Sequence, residues 1–156
     1  MSREEHDKWA YSIPGKLALN FIYYLGDFNT KFFTELRDNR KILGVKCPKC
    51  NRVYMPPRPV CGKCLSRLDE WVELSDKGTL LSYTVVNYSE PYQPTAPPII
   101  YGIIKLDGAD TGFTHLLGEV DAEKLRIGMR VRAVFKDKKD RKGDFWDIKH
   151  LTLVEE

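Results

Sequence analysis

Cys47-Pro48-Lys49-Cys50-Asn51 and Cys61-Gly62-Lys63-Cys64-Leu65, with ten residues between Cys50 and Cys61, decide the fold of this chain. They hold all four of its cysteines. A C-x-x-C turn lets backbone N–H groups point back at thiolate sulfurs. Two such turns facing each other make a closed tetrahedral site, the donor set of a structural Zn²⁺. Cys47, Cys50, Cys61 and Cys64 are therefore the expected ligands of one zinc per chain. Iron in a rubredoxin-like site is the rival, and it would give a coloured, redox-active protein. Four thiolates saturate the tetrahedron, so no position remains for water and no thiol remains as a nucleophile.

Working outward, Val53-Tyr54-Met55-Pro56-Pro57-Arg58-Pro59-Val60 links the two turns. Its three prolines forbid a helix and stiffen an extended link. The pattern is that of a zinc ribbon, two short strands joined through metal, with Trp71 and Val72 at its end. Ahead of the ribbon, Phe28, Phe32, Phe33 and Leu36 predict a short amphipathic helix, capped by Asp27 or Asn29 and stopped at Asn39. This apolar stripe reads either as core or as an interface ridge. Earlier still, Leu17, Leu19, Phe21, Tyr23 and Leu25 alternate as in a strand after the break at Pro14-Gly15. Such an arm needs a cover, either the chain's own C-terminal part or a partner subunit.

From Gly78 onward the sequence reads as all β. Strands are predicted over Gly78–Tyr88, Ile99–Leu106, Thr114–Val120, Arg130–Lys136 and Phe145–Val154. In the first, Leu81, Tyr83 and Val85 are expected on one face and Ser82 and Thr84 on the other. Five short strands suit a small closed barrel of OB type. The loop Asn87 to Pro98, stiffened by four prolines, joins the first two strands and borders the usual binding face of such barrels. Asp137 to Asp144 mixes charges of both signs and reads as a solvated hairpin tip. The expected fold is thus mainly β: an N-terminal arm and helix (residues 1–40), a rubredoxin-like zinc ribbon (41–72) and a five-stranded OB-fold barrel (73–156).

The polar start Met1-Ser2-Arg3-Glu4-Glu5-His6-Asp7-Lys8 has no apolar signal core, and Leu17 to Leu25 is too short to span a bilayer. A cytoplasmic protein is expected, where paired C-x-x-C motifs favour metal over disulfide. Four thiolates around one Zn²⁺ carry a net −2, which brings the formal +3 down to +1. A chain so close to neutral is not an obvious nucleic-acid binder. Lys46, Lys49, Arg52, Arg58 and Lys63 surround the cysteines; they offset the dianionic site, with phosphate binding as the alternative. Tyr83, Tyr101 and Phe135 would serve either as barrel core or as stacking platforms for single-stranded nucleic acid. His6, His115 and His150 have no Ser or Cys nucleophile at a recognisable spacing, so no catalytic residue is assigned. No glycine-rich phosphate loop is visible.

The order of arm, helix, four-cysteine ribbon and barrel resembles the zinc-ribbon/OB-fold proteins associated with acyl-CoA enzymes. The resemblance is carried by Phe32-Phe33-x-x-Leu36-Arg37, the two C-x-x-C pairs, Pro56-Pro57-Arg58 and Gly78-Thr79-Leu80-Leu81-Ser82-Tyr83-Thr84-Val85-Val86. Leu106-Asp107-Gly108-Ala109-Asp110 and Ile127-Gly128-Met129-Arg130-Val131 complete it. Asn51 departs from the usual knuckle glycine, but Asn tolerates the left-handed conformation. The resemblance implies a non-catalytic accessory or scaffold subunit that accompanies a thiolase, a hydroxymethylglutaryl-CoA synthase or an enoyl-CoA hydratase and helps bind the acyl-CoA. A thiolase is the favoured partner, because the long N-terminal arm resembles that of subunits paired with thiolases; the absence of a free cysteine agrees, since the nucleophilic thiol would have to come from the partner. Arg58 and Lys63 are the candidate cations for the CoA phosphates.

Overall fold

The computed structural model describes residues 22–91 and 93–154. The predicted strand alternation over 17–21, His6 and Tyr92 lie outside them. Residues 22–25 carry no regular structure.

The ribbon is a three-stranded antiparallel sheet rather than the expected two strands: β1 (Ile42–Lys46) lies between β2 (Val53–Tyr54) and β3 (Glu70–Leu74). Trp71 and Val72 sit inside β3, opposite Val45 and Gly44, so β3 runs through the expected boundary at residues 72/73. Gly44 permits the tight packing, because a Cβ there would stand 3.0 Å from Val53 Cγ1 and 3.1 Å from the Tyr54 carbonyl. The ribbon serves two cores. Val45, Tyr54 and Leu68 pack with Cys47 and Cys61, while Leu43, Met55 and Leu74 join the main core.

Helix α1 (Gly26–Asn39) ties the parts together. Phe28 packs at a 40° tilt against Trp71 of β3, with ring centroids 4.7 Å apart. Phe32 and Leu36 are fully buried, and Phe33 meets Phe145 edge-on at 5.2 Å. The stripe is therefore core, each buried side chain contributing about 2–3 kcal/mol of apolar burial. The expected caps are not used. Leu25 is the N-cap, with no side-chain hydrogen bond. Asn29 and Thr30 instead donate backward to the carbonyls of Leu25 and Gly26, the local competition that polar residues offer a helix start. The helix does end at Asn39, with Arg40 left-handed at φ 57°.

The second unit is a closed five-stranded barrel: β4 (Lys77–Val86), β5 (Ile99–Leu106), β6 (Phe113–Leu117), β7 (Arg130–Phe135) and β8 (Ile148–Leu153), in the order β4-β5-β6-β8-β7. All pairs are antiparallel except β6 with β8. The predicted last strand starts later, because Phe145–Asp147 form a 3₁₀ turn. The alternation in β4 also differs from the prediction. A bulge between Leu80 and Ser82 leaves Leu80 fully buried and turns Leu81 outward. A bulge adds one residue and swaps the face of what precedes it, so Leu80, Tyr83 and Val85, not Leu81, face the core.

Ribbon and barrel are latched by the turn after β5. Val53 N–H donates to the Asp110 carboxylate and Asp110 N–H to the Val53 carbonyl, both at 2.8 Å. The Thr111 hydroxyl accepts from Met55 N–H and donates to the Met55 carbonyl, again at 2.8 Å. Asp107, two residues after β5 pairs with β4 at Lys105, forms a double hydrogen bond with Arg130. That guanidinium holds the Asp107 carboxyl below the usual carboxylate range. The predicted solvated tip at Asp137–Asp144 is exposed over Lys138–Asp140, but its far end is anchored. Fully buried Asp147 accepts from Lys142 N–H at 2.7 Å and Gly143 N–H at 2.8 Å.

Candidate metal centre and barrel cavity

The two cysteine turns fold alike because their backbones make the same bonds. Asn51 N–H donates to the Cys47 carbonyl at 2.9 Å, and Leu65 N–H to Cys61 at 3.1 Å. Cys47 N–H donates to Arg52 and Cys61 N–H to Ser66, at 2.8 and 2.9 Å. The residue after each pair is left-handed, Asn51 at φ 55° and Leu65 at φ 57°. Asn adopts this readily, whereas a leucine there is strained.

The turns face each other. Cys47 and Cys64 sulfurs are 3.4 Å apart, Cys50 and Cys61 3.5 Å, and all four lie within 4.8 Å of one another. A tetrahedron with Zn–S bonds of about 2.3 Å has edges of about 3.8 Å, so the donor set fits. The surroundings favour thiolates unevenly. The Tyr54 hydroxyl, 3.2 Å from Cys61 Sγ, is the main reason that thiol is pulled down to about 5. The Ser66 hydroxyl lowers Cys64 in the same way. Cys50 rises to about 11: the Arg52 backbone N–H favours its thiolate, but the neighbouring cysteines and burial outweigh it. Crowded sulfurs of this kind ionise together only around a cation, which is what a bound Zn²⁺ supplies. All four expected ligands thus converge on one closed centre.

Arg58 lies over the Tyr54 ring at 4.9 Å, and its Nη1 lies close to Gly62. Lys63 donates its backbone N–H to Cys61 Sγ at 3.4 Å and its side chain is exposed. Both belong to the ribbon.

A cavity of about 960 Å³ opens on the barrel, and neither Arg58 nor Lys63 lines it. Pro94, Thr95 and Pro98 of the proline-rich loop line it, together with the apolar Ile99, Ile100, Leu117 and Val120. Trp146, His150, Lys136 and Lys149 line it as well, as do Glu119, Asp121 and Glu123. Sequence reasoning pointed to the loop but missed the residues facing it. His115 and His150 are both buried and behave differently. His115 Nε2 pairs with the Phe145 carbonyl at 3.0 Å and its Nδ1 accepts from Leu116 N–H at 2.8 Å. The ring is thus fully bonded, and burial lowers its pKa. His150 Nε2 is buried with no hydrogen-bond partner. Tyr83 and Phe135 pack against the core, and Tyr83 donates to the Leu125 carbonyl at 3.1 Å. Both rings thus take the core role of the two expected for them. Among the described residues no helix is long and apolar enough to cross a membrane.

With this geometry in view, residues 34–70 match the family model of the ChsH2 rubredoxin-like zinc ribbon domain, and residues 71–136 that of the ChsH2 C-terminal OB-fold domain. A DUF35 domain-containing scaffold protein of Methanocaldococcus jannaschii is 31% identical over 70% of this chain and 78% of its own. A scaffold protein of the same description from Methanothermobacter thermautotrophicus is 29% identical over 66% of this chain and 77% of its own. A probable enoyl-CoA hydratase alpha subunit of Thermomonospora curvata is 28% identical over 64% of this chain but only 31% of its own. Among solved structures, a chain of the Ltp2-ChsH2(DUF35) aldolase superposes with a TM-score of 0.59 at 24% identity, covering 81% of this chain and 92% of its own. A DUF35 protein of unknown function from Sulfolobus solfataricus gives 0.62 at 20% identity, covering 96% and 92%. The chain belongs to the DUF35 family, joining a ChsH2-type rubredoxin-like zinc ribbon to an OB-fold domain.

Proposed function

We propose that this chain is a non-catalytic accessory subunit that scaffolds an acyl-CoA-processing complex in the cytoplasm, with a thiolase-like enzyme as its partner. The observation that carries the reading is the convergence of all four cysteines on one metal centre. The zinc holds the shape, and any reactive thiol must come from another chain. Two relatives named as scaffold proteins support the accessory role. A hydratase partner is the second reading, supported by the relative named as an enoyl-CoA hydratase subunit.

Apolar side chains available to an interface occur on the barrel (Leu81, Ile103, Ile127) and on the N-terminal part of the chain. Ile22, Tyr24 and Leu25 ahead of α1, and Val60 and Leu65 at the second cysteine turn, are exposed. Exposed apolar side chains are what subunit contacts bury. Arg58 and Lys63 are proposed to face the CoA phosphates, and the division into arm with helix, ribbon and barrel is retained as a proposal. The test is reconstitution with a candidate thiolase and with a candidate hydratase, measuring acyl-CoA affinity of each mixture. Binding that appears only with one enzyme, and weakens when Arg58 and Lys63 are both changed to Ala, supports the reading. Affinity indifferent to that double change removes the two cations from the site. Absence of a complex with either enzyme counts against the scaffold role.

A further inference from the structure

The barrel cavity holds a combination that the scaffold role does not use. Its His150 is only 7% exposed, and Nε2 has no hydrogen-bond partner. An orphaned polar atom in a buried ring is destabilising, so its place among the cavity's lining residues calls for a reason. The neighbouring backbone is built around this ring. Gly118 N–H bonds to the Leu151 carbonyl at 2.9 Å, and a Cβ on Gly118 would lie 2.4 Å from His150 Cγ. The next residue, Glu119, is held left-handed at φ 57°, a conformation rare for glutamate. That turn brings the Glu119 carboxylate to 3.8 Å from His150 Nε2. The gap is too long for a hydrogen bond and short enough for one oxygen to bridge.

We propose that this cavity binds an amphipathic alcohol bearing an anionic group, its hydroxyl bridging His150 Nε2 and the Glu119 carboxylate. The bridging oxygen sits about 2.8 Å from each group. It accepts from Nε2–H and donates its own proton to the carboxylate. Admitting it takes a rotamer adjustment of Glu119, whose side chain is 69% exposed. Ile99, Ile100, Leu117, Val120 and Trp146 receive the apolar body. Lys136 and Lys149 are the lysines that line the cavity, and they receive the anion. The volume of about 960 Å³ lies within the range of small-molecule pockets. The site needs no second chain, so it stands apart from the scaffold reading.

The experiment uses the full-length, zinc-loaded protein and a matched pair of probes, racemic 3-hydroxyoctanoate and octanoate. Binding is followed by calorimetry and by the imidazole NMR signals of His150. The hydroxy acid is expected to bind at least about tenfold tighter, the effect of one satisfied buried bridge. It should also shift the His150 signals. Glu119→Ala, at an exposed side chain, should reduce it to the affinity of octanoate without unfolding the protein. Changing Lys136 and Lys149 together to Ala should weaken both acids alike. Equal affinities, or a hydroxyl preference that survives Glu119→Ala, would overturn the proposal. Binding of neither acid at millimolar concentration would overturn it too, leaving the gap to an ordered water.

Discussion

Thr111→Val removes a single hydroxyl and keeps the side-chain shape, so it isolates the latch between ribbon and barrel. That hydroxyl serves both the N–H and the C=O of Met55 at 2.8 Å, and Met55 is 0% exposed. Valine leaves a backbone donor and a backbone acceptor without partners where water has little access. At about 1–3 kcal/mol for each unsatisfied group, and with some relief from the partly open side of Thr111, the loss is about 2–4 kcal/mol. For a chain of this size that is a fall in Tm of roughly 5–12 °C. Urea unfolding of the zinc-loaded protein reads the free energy. Amide exchange reads the location: Val53 and Met55 N–H should exchange faster, with the β4–β5 ladder unchanged. A loss under about 0.5 kcal/mol, or acceleration spread evenly over the barrel, would refute the claim that Thr111 holds the two units together.

Chelation of the metal should release one zinc per chain and expose four titratable thiols. The ribbon amides should lose protection, and the barrel should keep its β signature; fewer than four released thiols would contradict the closed site. Gly118→Ala should cost about 1–3 kcal/mol through overpacking against His150, measured by urea unfolding. A neutral result would mean that the ring has room to move. His115 and His150 both have pKa values lowered chiefly by burial, from an ordinary 6.5. For His150, Glu119 pulls back up and Lys149 pushes further down. A depressed pKa means that the unfolded chain takes up protons first as the pH falls. The stability contributed by these neutral rings is therefore complete above about pH 6.5 and declines below it. His115→Gln should flatten that decline in a series of unfolding curves from pH 8 to 5.

The metal centre was readable because its information is local. Two C-x-x-C pairs fix two turns, and each turn needs only its own next few residues, down to the left-handed Asn51. The barrel was readable for a similar reason, since each strand carries its own β-branched run between breakers. Three features were not readable because they depend on distant partners or on a one-residue irregularity. The bulge in β4 hides in Leu80-Leu81, where two adjacent apolar residues fit either register. Asp110 and Thr111 look like turn residues until they meet Val53 and Met55, which lie 57 and 56 residues away. His150 and Glu119 come together only because β6 and β8 run parallel, with Leu117 opposite Leu151. A motif search cannot see that register. The helix caps failed for a local reason: Asn29 and Thr30 spend their hydrogen bonds one turn backward.

The most direct test of the scaffold claim is isolation of the tagged full-length chain from its native cells at low salt, with the co-isolated proteins quantified. One acyl-CoA enzyme is expected at a fixed stoichiometry, carrying its own reactive thiol if it is a thiolase. Recovery of the chain alone, or with nucleic acid released by salt, would contradict it.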